Sequence, residues 1–120
     1  DGDVDPFVRM RQRMESVMGH VVVKRVVSRG TGQPVPPGAF VTVHFSAFYR
    51  SDLMEPFMTT HAGPPFRFRL GSGAALPGME VAVRSMRLGE KAKFLVEPEL
   101  AFQKLAKPEY QQAITMEHQI

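Results

Sequence analysis

The sequence predicts an α+β domain in which a curved, mostly antiparallel sheet wraps around one helix. Short β-branched or aromatic runs recur at 21–27, 40–49, 66–70 and 91–96, the last three with two-residue alternation. A single stretch between them, 77–86, has helical spacing instead. Ten glycines and ten prolines punctuate these runs as tight turns, and there is no tryptophan. One helix interrupting such strands must bury its apolar stripe against the sheet.

Residues 1–5 are a short acidic leader. Over 7–18, Phe7, Met10, Met14 and Val17 recur at three- and four-residue intervals while Arg9, Arg11, Arg13 and Glu15 fall elsewhere, the pattern of an amphipathic helix. Asp5 before Pro6 supplies an N-cap with proline at the first helical position, and Gly19 a stop. Such a helix is marginal alone, so its stripe is expected to dock on the domain, or else on a partner or membrane surface. This sets 1–20 apart as leader and helix, and 21–120 as the domain proper.

The β-branched run at 21–27 closes in a glycine-bearing turn at 28–32, and a proline-rich loop at 34–38 leads into 40–49. Alternation there puts Val41, Val43, Phe45, Ala47 and Tyr49 on one face, and Thr42, His44, Ser46, Phe48 and Arg50 on the other. After a turn-rich stretch over 51–65, Phe66, Phe68 and Leu70 point inward, and Gly71-Ser72-Gly73 breaks the strand. Leu76, Met79, Val83 and Met86 share a helical face, with Gly89 expected as the stop after Arg87. Ala92, Phe94 and Val96 alternate with Lys91 and Lys93. Beyond Pro98 the chain reads as loop until a last short strand over 113–120.

At 120 residues the chain fits one domain. Folding at this size buries about 65% of the unfolded surface, enough for a core without covalent staples. No cysteine is present, which excludes thiolate catalysis and cysteine-ligated zinc or iron–sulfur centres and fits a reducing, cytoplasmic setting. The net charge of +3 permits an acidic partner without arguing for one. No apolar run approaches the ~20 residues that span a bilayer, and no signal peptide opens the chain. Asp1 in place of an initiating methionine is expected of a fragment of a longer protein.

Several chemical signals fail on spacing. Gly71-x-Gly73 lies between a strand and a helix, but the third glycine and the Gly-Lys-Ser/Thr of a phosphate loop are missing. His20, His44, His61 and His118 lack metal-ligand spacing, and Ser46 and Ser85 lack a nucleophile elbow. Arg67, Arg69, Lys91 and Lys93 make a basic solvent face, yet the aromatics beside them point inward, against a base-stacking platform. No metal, cofactor or nucleic-acid partner is expected.

One constellation carries more. Gly30-x-Gly32, Pro37-Gly38, Val43-His44-Phe45-Ser46, Pro56-Phe57, Pro65-Phe66-Arg67-Phe68-Arg69-Leu70-Gly71, Leu76-Pro77-Gly78-Met79-Glu80 and Ser85-Met86-Arg87-x-Gly89-Glu90-Lys91-Ala92 follow in order. Together they resemble the FKBP family, the tacrolimus- and rapamycin-binding peptidyl-prolyl isomerases, over about 21–103. The resemblance implies an antiparallel half-barrel over one short helix. It also implies an apolar cup that grips a proline ring and favours the twisted X–Pro amide. Carried over, the cup is Phe45, Phe57, Phe66, Ala75, Leu76, Met79 and Phe102.

The departures from the family pattern weaken that chemistry. Active members carry aspartate where this chain has Met58, tryptophan at Met79, and tyrosine at Phe102 and Phe45. Gln103 replaces a glycine, the loop over 104–112 is altered, and Met116 takes a further aromatic position in the closing strand. Each change removes a polar handle or the flat floor, so the resemblance implies a degenerate pocket on a preserved scaffold, with no catalytic residue. Arg11-Gln12-Arg13-Met14, Gly78-Met79-Glu80 and Ser85-Met86-Arg87 further resemble the Shutdown-type germline co-chaperones. Those join an inactive isomerase domain to tetratricopeptide repeats that bind heat-shock protein 90, and act in piRNA biogenesis and transposon silencing. The expectation is a protein-interaction module. The alternatives are an active, tacrolimus-binding isomerase, or an adaptor that meets RNA or membrane through its arginines.

Overall fold

The computed structural model describes residues 14–19, 22–97 and 112–118. Within them lie strands β1 (Glu15–Met18), β2 (Val22–Ser28), β3 (Phe40–Tyr49), β4 (Met58–Thr59) and β5 (Phe66–Arg69), then helix α1 (Pro77–Arg84) and strands β6 (Lys91–Val96) and β7 (Gln112–His118). All pairings are antiparallel, in the order β1-β2-β6-β7-β3-β4, with β5 also on β3. Val43 pairs with both Phe66 and His118, so β3 carries β7 along one edge and β5 and β4 in succession along the other.

The two-residue period decides which side of the sheet is apolar. Val22, Val43, Phe45, Ala47, Ala92, Phe94, Val96, Ile114 and Met116 face one side and are at most 5% exposed. α1 lies on that side and buries Met79, Ala82 and Val83 there, with Met86 just beyond its end. Pro77 opens the helix, where its missing N–H costs nothing. The Glu80 carboxylate accepts the Gly71 N–H at 2.8 and 3.1 Å, tying the preceding loop to the first turn. The helix ends at Arg84 with Ser85 as its C-cap, before the Gly89 stop that the sequence suggests, because Met86 leaves the helix to fill the core. Gly89 (φ 83°) instead turns the chain into β6.

One expected element is corrected at its C-terminal end. Glu15–Met18, the end of the expected N-terminal helix, is a strand hydrogen-bonded to β2; residues 7–13 of that helix lie outside the described residues. Val17 packs toward the main core, whereas Met14 joins a second cluster with Val23, Leu95 and Ala113. Phe48, on the face of β3 opposite Phe45, packs into this second cluster as well.

Candidate functional site

The first turn of α1 and the loop before it stand opposite β3, β4 and β5, and an apolar cavity of about 550 Å³ opens between them. Phe45, Met58 and Phe66 form one wall, Ala75 and Leu76 the other, and Met79, 2% exposed, is the most deeply buried member. The Phe45 and Phe66 rings meet edge to face at 6.3 Å, and Phe66 stacks on Phe68 at 5.1 Å. This gives the wall a fixed aromatic corner. Five of the seven cup residues carried over from the family pattern, Phe45, Phe66, Ala75, Leu76 and Met79, therefore line one cavity, with Met58 beside them. Phe57 does not line it: its ring stacks on Tyr49 at 4.1 Å, and its N–H donates to Ala47 at 2.9 Å. Phe102 lies outside the described residues.

Sequence reasoning missed Thr60, Gly73, Ala74 and Pro77, which complete the lining. No periodic signal marks Thr60, because β4 ahead of it is only two residues long. Among the described residues Thr60 alone brings a hydrogen-bonding side chain to this cavity; none that lines it is charged. Its Oγ1 accepts the Phe45 N–H at 2.9 Å and lies 2.9 Å from His44 Nδ1. The His44 ring in turn stacks on His61 at 4.8 Å, so two of the four histidines scattered in sequence meet. No group of three or more potential metal ligands forms among the described residues.

A second, polar cavity of about 600 Å³ lies at the C-terminal end of α1, lined by Glu15, Lys24, Arg29, Arg87 and Glu90 among others. Lys24 and Glu90 are 5% and 4% exposed and paired at 2.7 Å. Lys24 Nζ also donates to the Ser85 carbonyl at 2.8 Å, and Glu90 Oε1 accepts the Arg87 N–H at 3.1 Å. The cation thus sits at the negative end of the helix. Nearby, His118 is 3% exposed and its Nδ1 has no hydrogen-bond partner among the described residues. Burial lowers its pKa from the ordinary value, against the opposing influences of a hydrogen bond to the Arg87 backbone and the charge of Glu90.

Gly71 and Gly73 have positive φ (90° and 81°), but the Gly71 amide is held by Glu80, so a carboxylate sits where a phosphate loop would receive its anion. Of the basic face, Arg67 lies over the Phe40 ring at 4.6 Å, and Lys91 stands opposite Glu117, which interrupts the positive stripe. No helix among the described residues is long and apolar enough to cross a membrane.

Comparison with known proteins agrees with this geometry. The family model for FKBP-type peptidyl-prolyl cis-trans isomerases matches residues 32–119. The chain is 37% identical over 105 residues to the inactive peptidyl-prolyl cis-trans isomerase FKBP6 of Rattus norvegicus, covering 86% of this chain and 32% of that protein. It is 34% identical over 108 residues to the inactive peptidyl-prolyl cis-trans isomerase shutdown of Drosophila melanogaster, covering 86% of this chain and 24% of that protein. The chain therefore spans a third or less of the length of these relatives. In fold it is similar to the N-terminal domain of FKBP42 from Arabidopsis thaliana, with a TM-score of 0.76 over 88% of this chain and 89% of that one, at 24% identity. Antiparallel strands folded over one helix, an apolar cavity at that helix's first turn and a match over most of the sequence converge: the chain belongs to the FKBP-type peptidyl-prolyl cis-trans isomerase family.

Proposed function

We propose that this chain is a non-catalytic FKBP-type domain serving as a protein-docking module of a longer cytoplasmic co-chaperone in germline piRNA-dependent transposon silencing. The reading rests on one observation: the cavity of about 550 Å³ keeps its aromatic corner while Met58 and Met79 stand in its wall. Rotation about an X–Pro bond must overcome a barrier of ~18–20 kcal/mol. A catalyst lowers it only through contacts made better to the twisted amide than to the planar one. Methionine fills the space but brings neither a charge nor a flat, rigid floor. The relatives named inactive support the absence of turnover. The germline setting, and heat-shock protein 90 as a partner through repeats outside this chain, rest on likeness to the Shutdown proteins.

A protease-coupled assay on a prolyl tetrapeptide tests the reading, with cis-to-trans conversion expected at its uncatalysed rate. Turnover comparable to an ordinary family member would overturn it. The retained aromatic corner also favours a second reading, a weak isomerase limited by its lost handles. The triple variant Met58→Asp, Met79→Trp, Phe102→Tyr separates the two. Gain of about a hundredfold over a measurable wild-type rate, equivalent to one or two hydrogen bonds to a strained group, supports the second. A wild-type rate at background supports the first.

A further inference from the structure

We infer that the Thr60 hydroxyl is the pocket's hydrogen-bond donor to a peptide carbonyl, and that His44 decides whether it is free to donate. The inference rests on the docking role proposed above and specifies the ligand chemistry of the same cavity. It begins from the isolation of Thr60, whose side chain alone among the described lining residues can form a hydrogen bond. A hydroxyl has one proton and two lone pairs. One lone pair is taken by the Phe45 N–H at 2.9 Å. The remaining lone pair and the proton are shared between the cavity, His44 Nδ1 at 2.9 Å and the Phe45 carbonyl at 3.4 Å.

When Nδ1 is unprotonated it can only accept, and the Thr60 proton is committed to it. The pocket then offers a ligand a lone pair at most, which a carbonyl cannot use. When Nδ1 carries a proton it becomes the donor, both lone pairs of Thr60 are filled, and the hydroxyl proton is released. Among the described residues the other acceptor within reach, the Phe45 carbonyl at 3.4 Å, is too distant for a strong bond. A carbonyl inside the cavity is the better acceptor. Imidazolium enforces this second arrangement, and imidazoles change charge between about pH 5 and 8. The groups facing His44 are His61, stacked on it at 4.8 Å, Glu117, directly opposite on β7, and Arg67, on β5 beside the neighbouring Thr42. Arg67 is cationic and Glu117 anionic, so charges of both signs flank the ring.

The test is an NMR titration of the chain with a capped, non-titrating peptide, acetyl-Ala-Leu-Pro-Phe-amide, at pH 5.5 and pH 8. Binding is expected about fivefold tighter at pH 5.5, the worth of one net hydrogen bond. Thr60→Val and His44→Phe should each erase the difference, Thr60→Ser should keep it, and His61→Ala should preserve its direction. Imidazole nitrogen shifts of His44 should report an unprotonated Nδ1 at pH 8. Binding that is equal at both pH values, or a pH dependence that survives Thr60→Val, would overturn the inference and leave the docking role standing. No binding at either pH would overturn both.

Discussion

Lys24 is a charged residue in a β-branched strand, and the alternation of β2 turns it into the core side rather than toward water. Its ammonium is held by Glu90 and the Ser85 carbonyl, at the end of α1 remote from the apolar cavity. Removing two charges from water is costly, and the pair persists because each has further partners. Breaking it should be worse than replacing it. Lys24→Met and Glu90→Met should each lower stability by about 3 kcal/mol, whereas the two combined should cost clearly less than the sum. Urea unfolding of the four proteins measures this; additive effects would show that the pair is not coupled. Gly30 belongs to the same knot: a Cβ there would lie 2.5 Å from the Leu88 carbonyl oxygen and 2.8 Å from the Glu90 nitrogen. Only glycine lets the end of β2 approach that turn.

At the scale of elements, β7 closes the sheet between β6 and β3, and its last residue is fastened twice. The His118 N–H donates to Glu90 and the His118 carbonyl accepts the Gly89 N–H, both at 2.9 Å. Its side chain is buried as the neutral imidazole, with a pKa lowered chiefly by desolvation. The unfolded chain therefore binds this proton more readily than the folded one. The stabilisation is complete above the unfolded value near 6.5 and is lost as pH falls from there through the lower folded value. Chemical denaturation at pH 7.5 and pH 5 should show a loss of stability on acidification that is smaller in His118→Gln; an unchanged pH slope would refute this role. β7 was expected as a last short strand over 113–120, and within the described residues it runs Gln112–His118. The N-terminal strand was not expected. Met14 and Val17 are three residues apart, which shares a face on a helix and divides faces on a strand. Pairing to β2, reinforced by a Gly19 turn at φ 55° and a Ser16 hydroxyl donating to Gly19 at 2.6 Å, decides between them, and that pairing leaves no periodic mark. The two-residue β4 is likewise too short for a period to be read.

For the molecule as a whole, one sheet separates two apolar clusters, and the helix covers the larger. The polar knot closes one end of that helix and the open cavity lies at the other. Most of this architecture follows from the sequence because β3, β5 and β6 alternate, β2 is a β-branched run, and Pro77 marks the helix start. The cavity wall was legible at Phe45, Met58, Phe66, Ala75, Leu76 and Met79 through family motifs rather than through pattern. Phe57 departs because its ring finds Tyr49 across the turn. The central claim is a pocket that receives proline-containing segments without turning them. Two-dimensional exchange NMR of a prolyl tetrapeptide with catalytic and then saturating amounts of the protein reads both halves at once. The expected result is saturable shifts of the Met58, Leu76 and Met79 methyl groups, with cis–trans exchange remaining at the rate of free peptide. Accelerated exchange at catalytic concentration, or methyl groups that never shift, would contradict it.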